Sequence, residues 1–263
     1  MPTSLPKPHE FFQLDVASRG DLINSYIGEI TLNNEPSNSD LIDGFKQSHV
    51  VNQYVPYHYE QREKSIEDKL ASKTKWESYL KNELKKINEE YKPIILEKIK
   101  ANIAHMDGLT RPKSLLEVVG AKELAIAQKH NRSITEKMGH LFENYAVVSP
   151  VVFSPEDHYG ITIQGVDFIA FINNEITYCQ MKTNKNTLTG SQVPRTKEEL
   201  LVFEKSWFVS AIDSYAPWSL SSLHGIDRIA GNEFWSIVNI PYELVIESVT
   251  TLIIEIENFV YSR

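Results

Sequence analysis

The chain has 263 residues, 41% hydrophobic and 24% charged, and its 27 Lys and Arg against 35 Asp and Glu give a net charge of −8. That composition holds enough apolar material for a core and excludes disordered and collagen-like chains, while the negative balance excludes an indiscriminate polycation for nucleic acid or membrane surfaces. A single cysteine, Cys179, excludes an internal disulfide and a multi-cysteine metal site, which fits a reducing compartment and predicts a cytoplasmic protein.

The N-terminal Met-Pro-Thr-Ser-Leu-Pro-Lys-Pro has no apolar stretch of the signal-peptide kind, and no segment approaches the roughly 20 apolar residues of a spanning helix, so no membrane association is expected. One domain over 1–263 is expected, with residues 1–130 mainly helical and a catalytic core over 133–240. Residues 33–40 are a turn cluster of Asn, Pro, Ser and Asp with short helices around it. From Lys64 to Met106, Lys and Glu alternate around Leu70, Trp76, Leu80, Leu84, Ile87 and Tyr91 with a helical period, and Pro93 is expected to kink or break the run. Further helices are predicted over Leu115–His130 and Ser133–Val147, the second opened by Ser133 and Glu136 at capping-box spacing. After Pro150 the texture turns β-branched. Two strands, 161–172 and 175–182, are predicted around an Asn173-Asn174 turn, because Asn tolerates positive φ. A helix over 195–212, a Ser- and Pro-rich loop, the segment Glu233–Val238 and further strands rich in Ile and Val complete the reading. The fold class is α/β (α+β), a central mixed β-sheet flanked by helices with a helical N-terminal region.

The informative stretch is the hairpin. A two-residue turn at Asn173-Asn174 pairs Ile172 with Glu175 and carries Asp167 opposite Gln180, with Lys182 two residues on and therefore on the same face. Gly165 falls opposite Lys182 and leaves room. A carboxylate, a carboxamide oxygen and an ammonium thus converge, a set suited to metal-assisted phosphodiester hydrolysis. Asp167 and Gln180 would ligate Mg²⁺, a hard cation that prefers oxygen. Lys182 would stabilise charge on the phosphate or help deprotonate the attacking water. The same three residues would also be ordinary on the polar face of an exposed hairpin. Cys179 alternates with Gln180 and is expected on the packed face.

Gly165-Val166-Asp167 followed by a strand ending Gln180-Met181-Lys182 resembles the PD-(D/E)xK nuclease core in its D…QxK form, most closely that of type II restriction endonucleases. The resemblance maps the family's acidic residue onto Asp167, its middle position onto Gln180 and its lysine onto Lys182. Val166 stands where the family often has Pro, and Gln180 replaces the middle carboxylate. The missing charge has two candidate sources. Glu143, in Gly139-His-Leu-Phe-Glu143, resembles the G-x-x-x-E helix that precedes the core in many of these enzymes and is the preferred third metal ligand; Glu198, Glu199 and Glu204 lie downstream. The resemblance implies Mg²⁺-dependent hydrolysis of double-stranded DNA to 5′-phosphate ends at a palindromic site, a homodimer, and a cognate DNA methyltransferase as genetic partner.

Between residues 179 and 197 stand four basic and no acidic residues. Lys185, Asn186, Thr187, Ser191, Gln192, Arg195 and Lys197 form the expected DNA-contacting loop, since such side chains bind phosphates and read base edges. Ala230-Gly231-Asn232-Glu233-Phe234-Trp235 resembles a signature of some restriction enzymes, including ones that cut interrupted GG/CC palindromes, although Phe234 and Trp235 are most simply core aromatics. No histidine spacing of the zinc or HNH kind, phosphate-binding glycine loop or Gly-x-Ser-x-Gly elbow occurs. The charge is uneven: residues 60–105, 106–140 and 181–205 each carry +2, against −4, −5 and −5 over 1–59, 141–180 and 206–263. Basic segments are therefore masked in the total. The alternatives are another nuclease of this core, serving repair or modification-dependent cleavage, and a non-catalytic DNA-binding or scaffold protein.

Overall fold

The computed structural model describes residues 4–107 and 111–262; the first three residues of the N-terminal segment read above for a signal peptide lie outside them. The described residues form twelve helices and five strands. The N-terminal half is helical: α1 (Pro8–Phe11), α2 (Val16–Ile27), α3 (Ser39–Val51), α4 (Val55–Ser65), α5 (Glu67–Leu70), α6 (Lys73–Asp107), α7 (Leu115–Val118) and α8 (Lys122–Val147). There follow β1 (Val152–Phe153), α9 (Pro155–Tyr159), the hairpin strands β2 (Phe168–Ile172) and β3 (Glu175–Lys182), α10 (Gln192–Leu201), β4 (Ser206–Ser210), β5 (Ile226–Ala230), α11 (Asn232–Ile237) and α12 (Tyr242–Tyr261). No helix among the described residues is long and apolar enough to cross a membrane.

The sheet runs β1-β2-β3-β4-β5. Its first two pairings are antiparallel and its last two parallel, so the expected mixed sheet flanked by helices is present. Both turn residues adopt positive φ, Asn173 at 53° and Asn174 at 62°, and Ile172 pairs with Glu175 and Phe168 with Cys179 as the two-residue turn requires. The larger core lies between one face of the sheet and α6, α8 and α12, and takes in Phe168, Cys179, Met181, Trp207, Phe234 and Trp235. The opposite face packs Ile169, Phe171 and Tyr178 against the N-terminal helices through Phe11, Ile23 and Tyr54. Cys179, Phe234 and Trp235 are fully buried, as read from the sequence, and Trp235 Nε1 donates to the Ala211 carbonyl at 2.7 Å.

Several expectations fail for identifiable reasons. Of the kink or break read at Pro93, the break does not occur, since helix α6 runs on through it. The missing hydrogen bond costs about 3 kcal/mol, but fully buried Ile95 and Ile99 follow within two turns and contribute about 1.5–3 kcal/mol each. The two helices read over 115–130 and 133–147 are instead short α7 and one long α8, in which Ser133 caps nothing and accepts from Asn102 Nδ2 at 3.2 Å. The first hairpin strand begins at Phe168 rather than residue 161, because α9 and an irregular segment occupy residues 155–167. The helix expected over 195–212 ends at Leu201 and gives way to β4, whose five residues are all buried; burial on both faces erases the period that marks a strand. The C-terminal Ile- and Val-rich region is not strands but α12. Leu244, Leu252 and Ile256 are buried there at multiples of four residues, and tertiary packing overrides β-propensity.

Candidate functional site

Asp167 sits one residue before β2, and two hydrogen bonds tie it to the residues on either side of Gln180. Its N–H donates to the Cys179 carbonyl at 2.8 Å, and its Oδ2 accepts from the Met181 N–H at 2.7 Å. The residues on either side of Gln180 thus clasp Asp167. Lys182 Nζ stands 3.9 Å from Asp167 Oδ2, with the two side chains 27% and 24% exposed, so the pair lies at the rim of the protein interior. Gln180 is buried, and its Oε1 has no hydrogen-bond partner. An unpaired buried acceptor costs about 1–3 kcal/mol, a cost that a ligand at the site would relieve.

Glu143 reaches the same place from α8. It lines, with Asp167, Glu156, Asp157 and His140, a cleft of about 340 Å³ between α8, α9 and the entry to β2. Its Oε2 lies 3.2 Å from His140 Nδ1, one helical turn earlier. Burial raises the Glu143 carboxyl above its ordinary range, and the charge of Asp167 raises it further against the opposing pull of His140 and Lys182. Burial likewise raises Asp167, opposed by Lys182 and the Met181 N–H and assisted by the charge of Glu199. Helix α8 is held in register for this by Asn144 Nδ2, which donates to Tyr91 of α6 at 2.5 Å, and by half-buried Arg62, which donates to the carbonyls of Val147, at 2.6 Å, and of Val152.

The three downstream acids separate. Glu198 and Glu204 are exposed and line other grooves. Glu199 is buried, accepts from Arg195 Nε at 2.7 Å and Gln164 Nε2 at 3.1 Å, and packs on Gly165. Gly165 does not face Lys182: at φ 77° it has left the strand path, and a Cβ there would meet Glu199 Cβ at 2.5 Å. Glu199 therefore braces the turn into Asp167.

The residues read as a DNA-contacting loop are mostly engaged with their own surroundings. Lys185 Nζ donates to Asp213 Oδ1 at 2.6 Å and Ser214 O at 3.0 Å, and Lys197 Nζ to Ser221 Oγ at 2.9 Å. Thr187 closes a turn with Asn184, Gln192 Oε1 accepts from Thr189 N at 2.9 Å, and Ser191 Oγ lies 3.3 Å from Thr189 Oγ1. Asn186 is exposed, and Arg195 is exposed apart from its bond to Glu199.

The donors present fit a divalent hard cation: two carboxylates, Asp167 and Glu143, and the unpartnered carboxamide oxygen of Gln180. Among the described residues no three His, Cys, Asp or Glu side chains are grouped as a metal site. His140 has no role in the sequence motifs; its signal is the i,i+3 spacing to Glu143, which puts both on one helix face. Nothing in the sequence pointed to Gln164 as a partner of Glu199. Comparison of the chain with protein-family models, curated proteins and solved structures found no match.

Proposed function

We propose that the chain is a PD-(D/E)xK nuclease of the type II restriction class, which hydrolyses phosphodiester bonds of double-stranded DNA with Mg²⁺ at a palindromic sequence, acting as a homodimer whose two-fold axis matches that of the site. The observation that carries the reading is the clasp of Cys179 and Met181, on either side of Gln180, upon Asp167, which stands beside Lys182 and in one cleft with Glu143. Asp167, Gln180 and Glu143 would hold the cation. When bound, it would lower the pKa of a coordinated water and offset phosphate charge. Lys182 donates to the scissile phosphate and stabilises the charge that develops on it. Glu143, which His140 Nδ1 contacts at 3.2 Å, accepts a proton from the attacking water as the water oxygen bonds to phosphorus; the bond from phosphorus to the 3′-oxygen breaks, and that oxygen takes a proton from solvent, leaving 5′-phosphate and 3′-hydroxyl ends. Asp167 keeps Lys182 oriented, and the Met181 N–H keeps Asp167 from rotating away.

The test is incubation of supercoiled plasmid with the protein and Mg²⁺, beside Asp167→Ala and Lys182→Ala. Discrete fragments lost in both variants are expected, and sequencing their ends gives the recognition sequence and stagger. A methyltransferase gene beside this one is expected to protect the same sequence. Absence of cleavage with Mg²⁺, Mn²⁺ or Ca²⁺ on varied DNA would overturn the proposal in favour of a non-catalytic DNA-binding role.

A further inference from the structure

The loop between β4 and β5, residues 211–225, leaves the sheet at the end that carries Lys182, since Lys182 and Ser210 are register partners in the parallel ladder. Cations from three other segments hold it. Lys185 binds Asp213 and the Ser214 carbonyl, Lys197 binds Ser221, and Arg228 Nη1 donates to the Leu220 carbonyl at 2.9 Å. The Trp218 ring lies between two of them, 5.8 Å from Lys185 Nζ and 5.4 Å from the Arg228 guanidinium carbon. Beside it opens a cleft of about 460 Å³ whose wall includes Tyr215. Tyr215 is the most exposed large hydrophobic residue among those described, at 111% of its reference area, and Pro217 two residues on stiffens the tip.

We propose that this loop is a DNA-contacting element and that Tyr215 stacks its ring on a nucleobase at an opened base step. Lys185 is offset by its ion pair with Asp213, so Lys197 and Arg228 are the charges that draw the phosphate backbone to the loop. A rigid tip then presents an aromatic face that has no protein partner to give up, and aromatic side chains bind DNA by stacking on bases or wedging between steps. Lys185 and Lys197 serve this surface as anchors of the loop, and Lys197, whose partner Ser221 is neutral, also supplies positive charge. That the loop borders a cleavage site rests on the nuclease reading; the contact itself does not.

The experiment measures fluorescence anisotropy of a short labelled duplex, with 2-aminopurine duplexes in parallel, in metal-free buffer, for the full chain and for Tyr215→Ala and Tyr215→Phe. Tyr215→Ala is expected to weaken binding roughly fivefold or more, and to abolish the 2-aminopurine response. Tyr215→Phe is expected to keep both, and all three proteins to melt at the same temperature, because the ring is fully exposed. Equal affinity of Tyr215→Ala and wild type, or no duplex binding by the wild type, would overturn the inference. A wild type that cleaves while Tyr215→Ala binds and cleaves like it would overturn this inference alone. Binding that depends on Tyr215 without any cleavage would support it while overturning the nuclease reading.

Discussion

Gly165→Ala tests how the site is braced. Gly165 lies at φ 77°, and a Cβ there would stand 2.5 Å from Glu199 Cβ and 2.9 Å from its Oε2. Alanine in the left-handed region costs about 1–2 kcal/mol. The overlap adds to this, because Glu199 Cβ moves only with α10, whose Thr196 and Leu200 are buried; overpacking of this kind costs about 1–3 kcal/mol. Together these give a loss of about 2–5 kcal/mol, or a fall in melting temperature of roughly 4–20 °C at the sensitivity of domains of this general size. Asp167 is two residues away, so its carboxylate moves with the strained turn, and a shift of about 1 Å lowers cleavage on the order of 100-fold. Gly139→Ala is the control. Nothing lies within 4 Å of a Cβ at Gly139, inside α8, so the change is expected to stabilise the protein by about 0.5–1 kcal/mol with cleavage intact. Differential scanning calorimetry and plasmid cleavage read both. A Gly165→Ala protein that melts and cleaves like the wild type would refute the bracing.

Gln180→Met removes a buried oxygen that has no partner, so thermal stability should hold or rise by up to about 3 kcal/mol while Mg²⁺-dependent cleavage is lost; a clear drop in melting temperature would show that Oε1 has a structural role. Burial holds the Asp167 carboxyl above its ordinary range. Its ionised form therefore opposes folding once the pH exceeds that range, and Asp167→Asn, whose Oδ1 can still accept from Met181, should melt higher than wild type at neutral pH without metal. Added Mg²⁺ should raise the melting temperature of the wild type only, and a lower metal-free melting temperature for Asp167→Asn would contradict this. Desolvation depresses His58 to about 2 and His158 to about 4, from 6.5. The stability their neutral forms contribute is present above pH 6.5 and is lost as the pH falls toward these values, so urea midpoints should decline from about pH 6.5 to about pH 4, and a flat profile would argue against it.

The hairpin register was legible because it is local: two Asn residues at positive φ set the turn, and every pairing from Ile172↔Glu175 back to Phe168↔Cys179 follows by counting. The buried states of Cys179, Phe234 and Trp235 followed from alternation and size. The parallel strands β4 and β5 and helix α12 were not legible. A strand buried on both faces carries no period, and a β-branched run becomes a helix when a neighbouring helix pair offers it a groove, as α6 does for α12. Amino-acid order alone placed Asp167, Gln180 and Lys182 together, since strand pairing at short range needs no knowledge of the rest of the chain. Whether Glu143 or one of three downstream acids stands in the cleft with Asp167, and that Glu199 instead braces Gly165, was decided by helix packing, because residues tens of positions apart meet only once the core has set how α8 and α10 cross the sheet.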